Sequence, residues 1–181
     1  MKKKITLLLS LALAVAIGIG GTLAWLTAKT EEVKNTFTVG NINITLTEEA
    51  GGNTKEFKMV PGQTITKDPK VTVKAGSEAC WLFVKIEESA NLDNFISYAV
   101  ADGWTALTGV DGVYYRAVDA TTTDMVYPVL TGNQVTVEND VTKAMMDNLT
   151  ADNYPTLTFT AYAIQQAGFN DAAAAWTEAS K

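Results

Sequence analysis

Histidine is absent from these 181 residues, and cysteine occurs once. Without an imidazole there is no Ser-His-Asp or Cys-His nucleophile system and no His-Glu-x-x-His metalloprotease helix, and the commonest zinc ligand is missing. Carboxylate pairs or a lone Lys or Tyr are what remain for catalysis. The adjacent pairs Glu31-Glu32, Glu48-Glu49 and Glu87-Glu88 do not supply a shared site, because neighbouring side chains of a strand point to opposite faces. A structural or solvating role is expected for them. Asp111, Asp119 and Asp124 fall in or near loops and carry oxygens of the kind that suits Ca²⁺, but no Asp-x-Asp-x-Asp-Gly loop accompanies them. The expectation is a protein that is not an enzyme and has no metal or cofactor.

The lone thiol, Cys80, leaves no disulfide possible within one chain. It shares a side of its segment with Leu82, Val84 and Ile86 and is expected to be a core thiol. Basic residues are few as well. Setting aside Lys2, Lys3 and Lys4, 11 of the 14 basic residues remain against 20 acidic ones, a formal charge of −9. That balance excludes nucleic acid as a partner, since phosphates need Lys and Arg to displace counterions, and it argues against anionic lipid surfaces. Also missing are an internal repeat, a low-complexity linker, a second hydrophobic span and an apolar C-terminal sorting tail.

What is there begins with a leader. Lys2-Lys3-Lys4 precedes an apolar run from Ile5 to Gly21, and Thr22-Leu23-Ala24 leads into strand-like sequence. This is the build of a secretory signal peptide. Thr22 and Ala24 are small residues two apart, as the −3 and −1 positions of a signal-peptidase site require, which puts the cut before Trp25. The alternative is an uncleaved anchor, because Ile5 to Leu26 is about long enough to cross a hydrocarbon core of roughly 30 Å. With cleavage, membrane contact is transient and the signal peptidase is a partner during export only. Removing 24 of the 181 residues leaves 157, a usual size for one domain.

Most of the remainder reads as strand, with short alternating runs separated by Gly, Pro, Asn and Asp. Apolar residues fall on odd numbers in Phe37-Thr38-Val39 and on even numbers in Ile42 to Leu46. This flip of phase at Gly40-Asn41 marks either a bulge or a separate preceding strand. Pro61-Gly62 suits the centre of a type II turn. Thr64 to Val73 reads as strand, with Pro69 confining part of it to an edge or a break. Cys80 to Ile86 is apolar on both sides, as an interior strand covered on both faces would be. Asp111-Gly112 between Trp104–Leu107 and Val113–Val118 signals a hairpin. Gln134 to Val137 and Thr156 to Ile164 complete the strands. Helix is minor: Asp140 is expected to cap a turn carrying Val141, Met145 and Leu149, and Asn170 or Asp171 to cap a helix from Ala172 to Ala179. The fold class is all-β, a jelly-roll-like antiparallel β-sandwich of about seven or eight strands with one or two short helices. Trp104, Tyr114, Tyr115 and Tyr127 are expected in core or cross-strand packing, with a sugar-stacking platform as the alternative.

The leader ending Gly20-Gly21-Thr22-Leu23-Ala24 and the segment Asn35 to Leu46 resemble the TasA/camelysin family of exported bacterial proteins. Val60 to Lys67 and Leu157 to Gln165 are similar to later family segments. The resemblance implies a leader cut by a SipW-class peptidase, a jelly-roll fold, and polymerisation into biofilm-matrix fibres in which the N-terminal strand of one subunit completes the sheet of the next. It also implies a secreted or surface location. Camelysin has been described as a metalloprotease, an activity that the lack of histidine contradicts. On this reading the chain divides into a signal peptide (1–24), a candidate donor segment (25–40) and a sandwich domain (41–181). Val33, Phe37 and Val39 share the donor face, Gly40 is the hinge, and the partner is another copy or a related fibre subunit. A glycan-binding surface module built on Trp104 and Tyr115 is the alternative, and a camelysin-like hydrolase a third reading. Mass spectrometry of the exported protein should find Trp25 at its N-terminus, whereas an intact leader on membrane-bound chain identifies the anchor.

Overall fold

The computed structural model describes residues 40–48 and 57–181. The cleavage residues Thr22, Ala24 and Trp25, and the donor residues Val33, Phe37 and Val39, lie outside the described residues, as does the first phase of the flip at Gly40.

Ten strands are described: β1 (Ile44–Thr47), β2 (Thr64–Thr66), β3 (Lys70–Val73), β4 (Cys80–Glu88), β5 (Ile96–Ser97), β6 (Thr105–Ala106), β7 (Val113–Val118), β8 (Met125–Pro128), β9 (Gln134–Val137) and β10 (Leu157–Gln165). They form three sheets with the orders β1-β3-β8, β10-β4-β7-β6 and β2-β9-β5. All their pairings are antiparallel. Two short helices, α1 (Lys143–Asp147) and α2 (Ala172–Ala179), complete an all-β sandwich. The count of seven or eight strands was low because β5 and β8, two and four residues long, are too short to show a period, and because Thr64 to Val73 divides into β2 and β3.

Strand β4 is the spine, as its two-sided apolar pattern requires. Cys80, Leu82, Val84 and Ile86 face the space between the sheets, where Val71 and Val73 of β3 and Val135 and Val137 of β9 are also buried. The opposite face carries Phe83, fully buried under α2: its ring centroid lies 5.2 Å from that of Trp176. Tyr162 of β10 meets the same indole edge-on at 5.1 Å. Asp171 starts this helix by accepting a 2.8 Å bond from the Ala174 N–H, satisfying one of the unpaired donors at a helix N-terminus. The first helix is capped by Thr142, whose Oγ1 accepts from Met145 N, not by Asp140. The hydroxyl two residues later sits three positions before the N–H it reaches, the spacing an N-cap needs.

Local chemistry accounts for the turns. Gly62 has φ +76°, and Gln63 N–H donates to Val60 O at 3.0 Å, closing the Pro-Gly turn. The segment Thr64 to Val73 is not one strand. It breaks at Lys67-Asp68-Pro69, so that β2 pairs with β9 and β3 pairs with β1 and β8, in two different sheets. Proline has no N–H to give a ladder, and the chain changes sheet there.

The two main sheets are also clamped by the chain's one arginine. Arg116 of β7 lies 4.1 Å from the ring centroid of Tyr127 on β8 and 5.3 Å from that of Trp104. The guanidinium thus stacks between aromatic faces, which its flat, weakly hydrated shape favours. Trp104 Nε1 donates to Pro128 O at 2.8 Å, adding a second tie between the sheets. Gly103 leaves room for it: a Cβ there would come within 2.6 Å of Arg116 Nη2, and its φ is +85°.

Cys80 is fully buried and unpaired, and burial pushes its thiol up to about 11 from 9.0. Because the folded state holds the neutral thiol, this contribution to stability is complete below pH 9.0 and is lost as the pH rises through about 11. Thiol reagents at neutral pH should therefore label Cys80 slowly until denaturant is added, and replacement of Cys80 by Ala should flatten the alkaline limb of a stability–pH profile. Rapid labelling of native protein would contradict both expectations.

Candidate assembly edge

A sheet edge is an unfinished ladder, since alternate residues of an edge strand direct N–H and C=O groups outward. Among the described residues, β10 bonds only to β4, and β1 only to β3. Strand β10 is nine residues long and reads Leu-Thr-Phe-Thr-Ala-Tyr-Ala-Ile-Gln, without charge, proline or glycine. Its side chains are anchored on both faces: Leu157, Phe159, Ala161 and Ala163 pack toward the inter-sheet core, Tyr162 and Ile164 toward α2. The other edges are weaker templates. Strand β6 spans two residues, β1 four, and β8 ends in Pro128.

Strands β1 and β10 touch along the same side of the sandwich, and a largely buried ion pair lies beside them. Lys67 Nζ, in the connection from β2 to β3, lies 2.7 Å from Glu48 Oε2 just past β1. The same ammonium sits 5.4 Å from the ring centroid of Phe159 on β10 and 5.9 Å from that of Phe57. The Glu48 side chain is only 11% exposed, and among the described residues its Oε1 has no hydrogen-bond partner. Glu48 is thus structural rather than solvating. Sequence reasoning missed its partner because Lys67 comes 19 residues later, in a segment that reads as strand.

Gly40, the expected hinge, is exposed and its φ is not positive. That conformation does not require glycine, so a glycine bulge of the left-handed type is absent here. The chain that follows is firmly moored: Glu78 N–H donates to Asn41 O at 2.9 Å, Lys74 N–H to Asn43 O at 2.9 Å, and Asn43 N–H to the buried Ser77 Oγ at 3.1 Å. A side chain at position 40 would meet Glu78 Cγ at 3.1 Å. The chain from Asn41 onward is therefore held in place on the sandwich.

The aromatics do not assemble into one platform. Trp104 and Tyr127 enclose Arg116, while Tyr115 lies across β7 against Trp81 and Phe83. Opposite pointing of successive strand residues separates Tyr114 from Tyr115, so the platform built on Trp104 and Tyr115 is replaced by packing. Glu87 pairs with Lys85 at 2.7 Å, and Glu88 turns the other way to accept from the Tyr98 hydroxyl. Asp124 accepts from Ala75 N–H and Lys74 Nζ, both at 2.9 Å, which hold its carboxyl below the usual range.

An antiparallel β-sandwich in which, among the described residues, the long strand β10 is paired on one side only defines the class. Residues 1–86 match the family model described as camelysin metallo-endopeptidase, so somewhat less than half of the chain is similar to that family. The match ends within β4. No curated protein and no solved structure matches the chain. The donor set does not fit the metal centre that the family description implies. The chain has no histidine, and among the described residues no three Cys, Asp or Glu side chains come together to hold a metal ion. No helix among the described residues is long and apolar enough to cross a membrane.

The Lys67–Glu48 pair generates a stability prediction. Lys67→Met should cost about 2–3 kcal/mol in denaturant unfolding, somewhat less than the roughly 3–5 kcal/mol of a fully buried pair, because it strands the Glu48 charge in a largely dry site. The double change Lys67→Met with Glu48→Leu should recover most of that loss, and equal destabilisation by the single and double variants would contradict this account.

Proposed function

We propose that this chain is a secreted or surface-retained structural subunit of extracellular, biofilm-matrix-type fibres, with no catalytic role. Assembly is by β-strand donation. Cleavage after Ala24 frees residues 25–40, and the face carrying Val33, Phe37 and Val39 docks on the outer edge of β10 in the next subunit. Backbone hydrogen bonds supply affinity, and alternate side chains supply register. The observation that carries this reading is β10 itself: nine uncharged residues, held on both faces, bonded on one side only among the described residues. Natural edges of that length are normally blunted by Lys, Pro, a bulge or a short strand. The similarity of residues 1–86 to the camelysin family supports the same reading.

The contact is heterologous, since donor and acceptor are different surfaces, and such contacts propagate as filaments instead of closing into dimers. Deleting residues 25–39 should abolish filaments in electron micrographs while thermal unfolding of the subunit stays nearly unchanged. Phe37→Asp should act in the same way, because a carboxylate placed against an apolar surface is desolvated without a partner. A synthetic peptide of residues 25–40, added in trans, should shorten filaments by occupying the edge. Collapse of the monomer fold on deletion would show that the segment belongs to its own sheet, and unchanged filaments would exclude donation.

A further inference from the structure

A groove opens at the end of β4 away from Cys80, and it is separate from the outer edge of β10. Its larger lobe, about 500 Å³, is lined by Glu88, Asp93, Ile96, Ser97, Tyr98 and Tyr114, among others. A second lobe of about 290 Å³ shares Glu88, Tyr98 and Tyr114 and adds Ile86, Asp111 and Gly112. Glycine draws the far wall in. Ile86 N–H donates to Gly112 O at 2.7 Å, and a Cβ at Gly112, whose φ is +70°, would come within 2.4 Å of Ile86 O. The Tyr98 hydroxyl donates to Glu88 Oε1, which fixes that ring between the two lobes.

The lining has a definite chemistry. Two tyrosines, Tyr98 and Tyr114, and the apolar residues Ile86 and Ile96 line the space, and three carboxylates, Glu88, Asp93 and Asp111, border it with Ser97. No Lys or Arg lines either lobe. Among the described residues none of the three carboxylates forms an ion pair. Burial, the bond to Glu88 and the charges of Glu88 and Asp93 all push the Tyr98 phenol upward, so an anionic field converges on this ring.

We infer that this groove binds a saccharide bearing free amino groups. Each part of the wall answers part of such a ligand. Tyrosyl rings suit the C–H faces of a pyranose, much as they pack other flat apolar surfaces. Carboxylates accept charge-assisted hydrogen bonds from hydroxyl and ammonium groups, and an ammonium near a tyrosine gains from the ring face. The absence of basic residues from the lining disfavours uronates, sulfated sugars and phosphosugars. The volume lies within the range of small-ligand sites, roughly 300–1,000 Å³.

Calorimetric titration of the exported chain with glucosamine oligomers, below the pKa of their amines, tests this. Saturable binding is expected, with glucose oligomers and spermidine at least about tenfold weaker because each lacks one half of the recognised chemistry. Glu88→Gln, at an exposed position, should weaken the glucosamine oligomer by about tenfold or more. Tyr114→Leu should act similarly and, with thermal unfolding run in parallel, distinguishes loss of the ring from loss of the fold. Phe37→Asp, which blocks strand donation, should leave binding unchanged. Absence of saturation, spermidine or glucose oligomers binding as tightly as glucosamine, or full affinity in Glu88→Gln would overturn the assignment.

Discussion

Strand β4 cannot be exposed on either face, and that constraint organises the molecule. Its residues from Cys80 to Val84 are apolar on both sides, so one sheet packed on one other sheet would leave Trp81 and Phe83 in water. The second cover is α2, and Trp176 rests against Phe83 and Tyr162 to provide it. At about 25 cal/mol per Å² of apolar surface removed from water, burying a residue such as Phe83 contributes roughly 2–3 kcal/mol. The helix is therefore part of the core. Strands β10 and β7 flank β4 along most of its length, and their positions follow from it.

Polar groups inside the sandwich are arranged as ties, each connecting elements that are far apart in sequence. Arg116 stacks between Trp104 and Tyr127 and links β7 to β8. Lys67 joins the end of β1 to β10 through Glu48 and Phe159. Ser77 accepts from Asn43 N–H and moors the entry to β1. A charge left unpaired in such a place costs several kcal/mol, so the contacts made by Lys67 and Arg116 hold the sheets together. The stability of the side on which β1 and β10 meet depends on one of them, which connects the packing of the core to the geometry of the open edge.

That edge and the groove sit on different parts of the same spine. The edge offers backbone groups along β10 and suits an extended segment of polypeptide. The groove offers side chains at the end of β4, where Glu88 pairs in register with Leu157, the first residue of β10. The proposed strand donation and saccharide binding would make no competing demand on any one side chain, and a fibre built from such subunits would present one groove per repeat.

Local patterns were readable from the chain alone. Two-sided apolarity identified β4 as interior, Pro61-Gly62 and Asp111-Gly112 placed turns, the spacing from Asp171 to Ala174 placed the cap of α2, and company with Leu82 and Val84 buried Cys80. These depend on residue period and backbone preference, which act over a few positions. The tertiary structure alone decided that Thr64 to Val73 divides between two sheets, that Thr142 and not Asp140 caps α1, and that β10 pairs on one side only among the described residues. It also decided that Lys67 meets Glu48, and that Tyr98 and Tyr114, not Trp104 and Tyr115, face one groove. Such outcomes rest on contacts between residues tens of positions apart. Which strands become neighbours is settled by the collective filling of the core, and no period within a single segment encodes it.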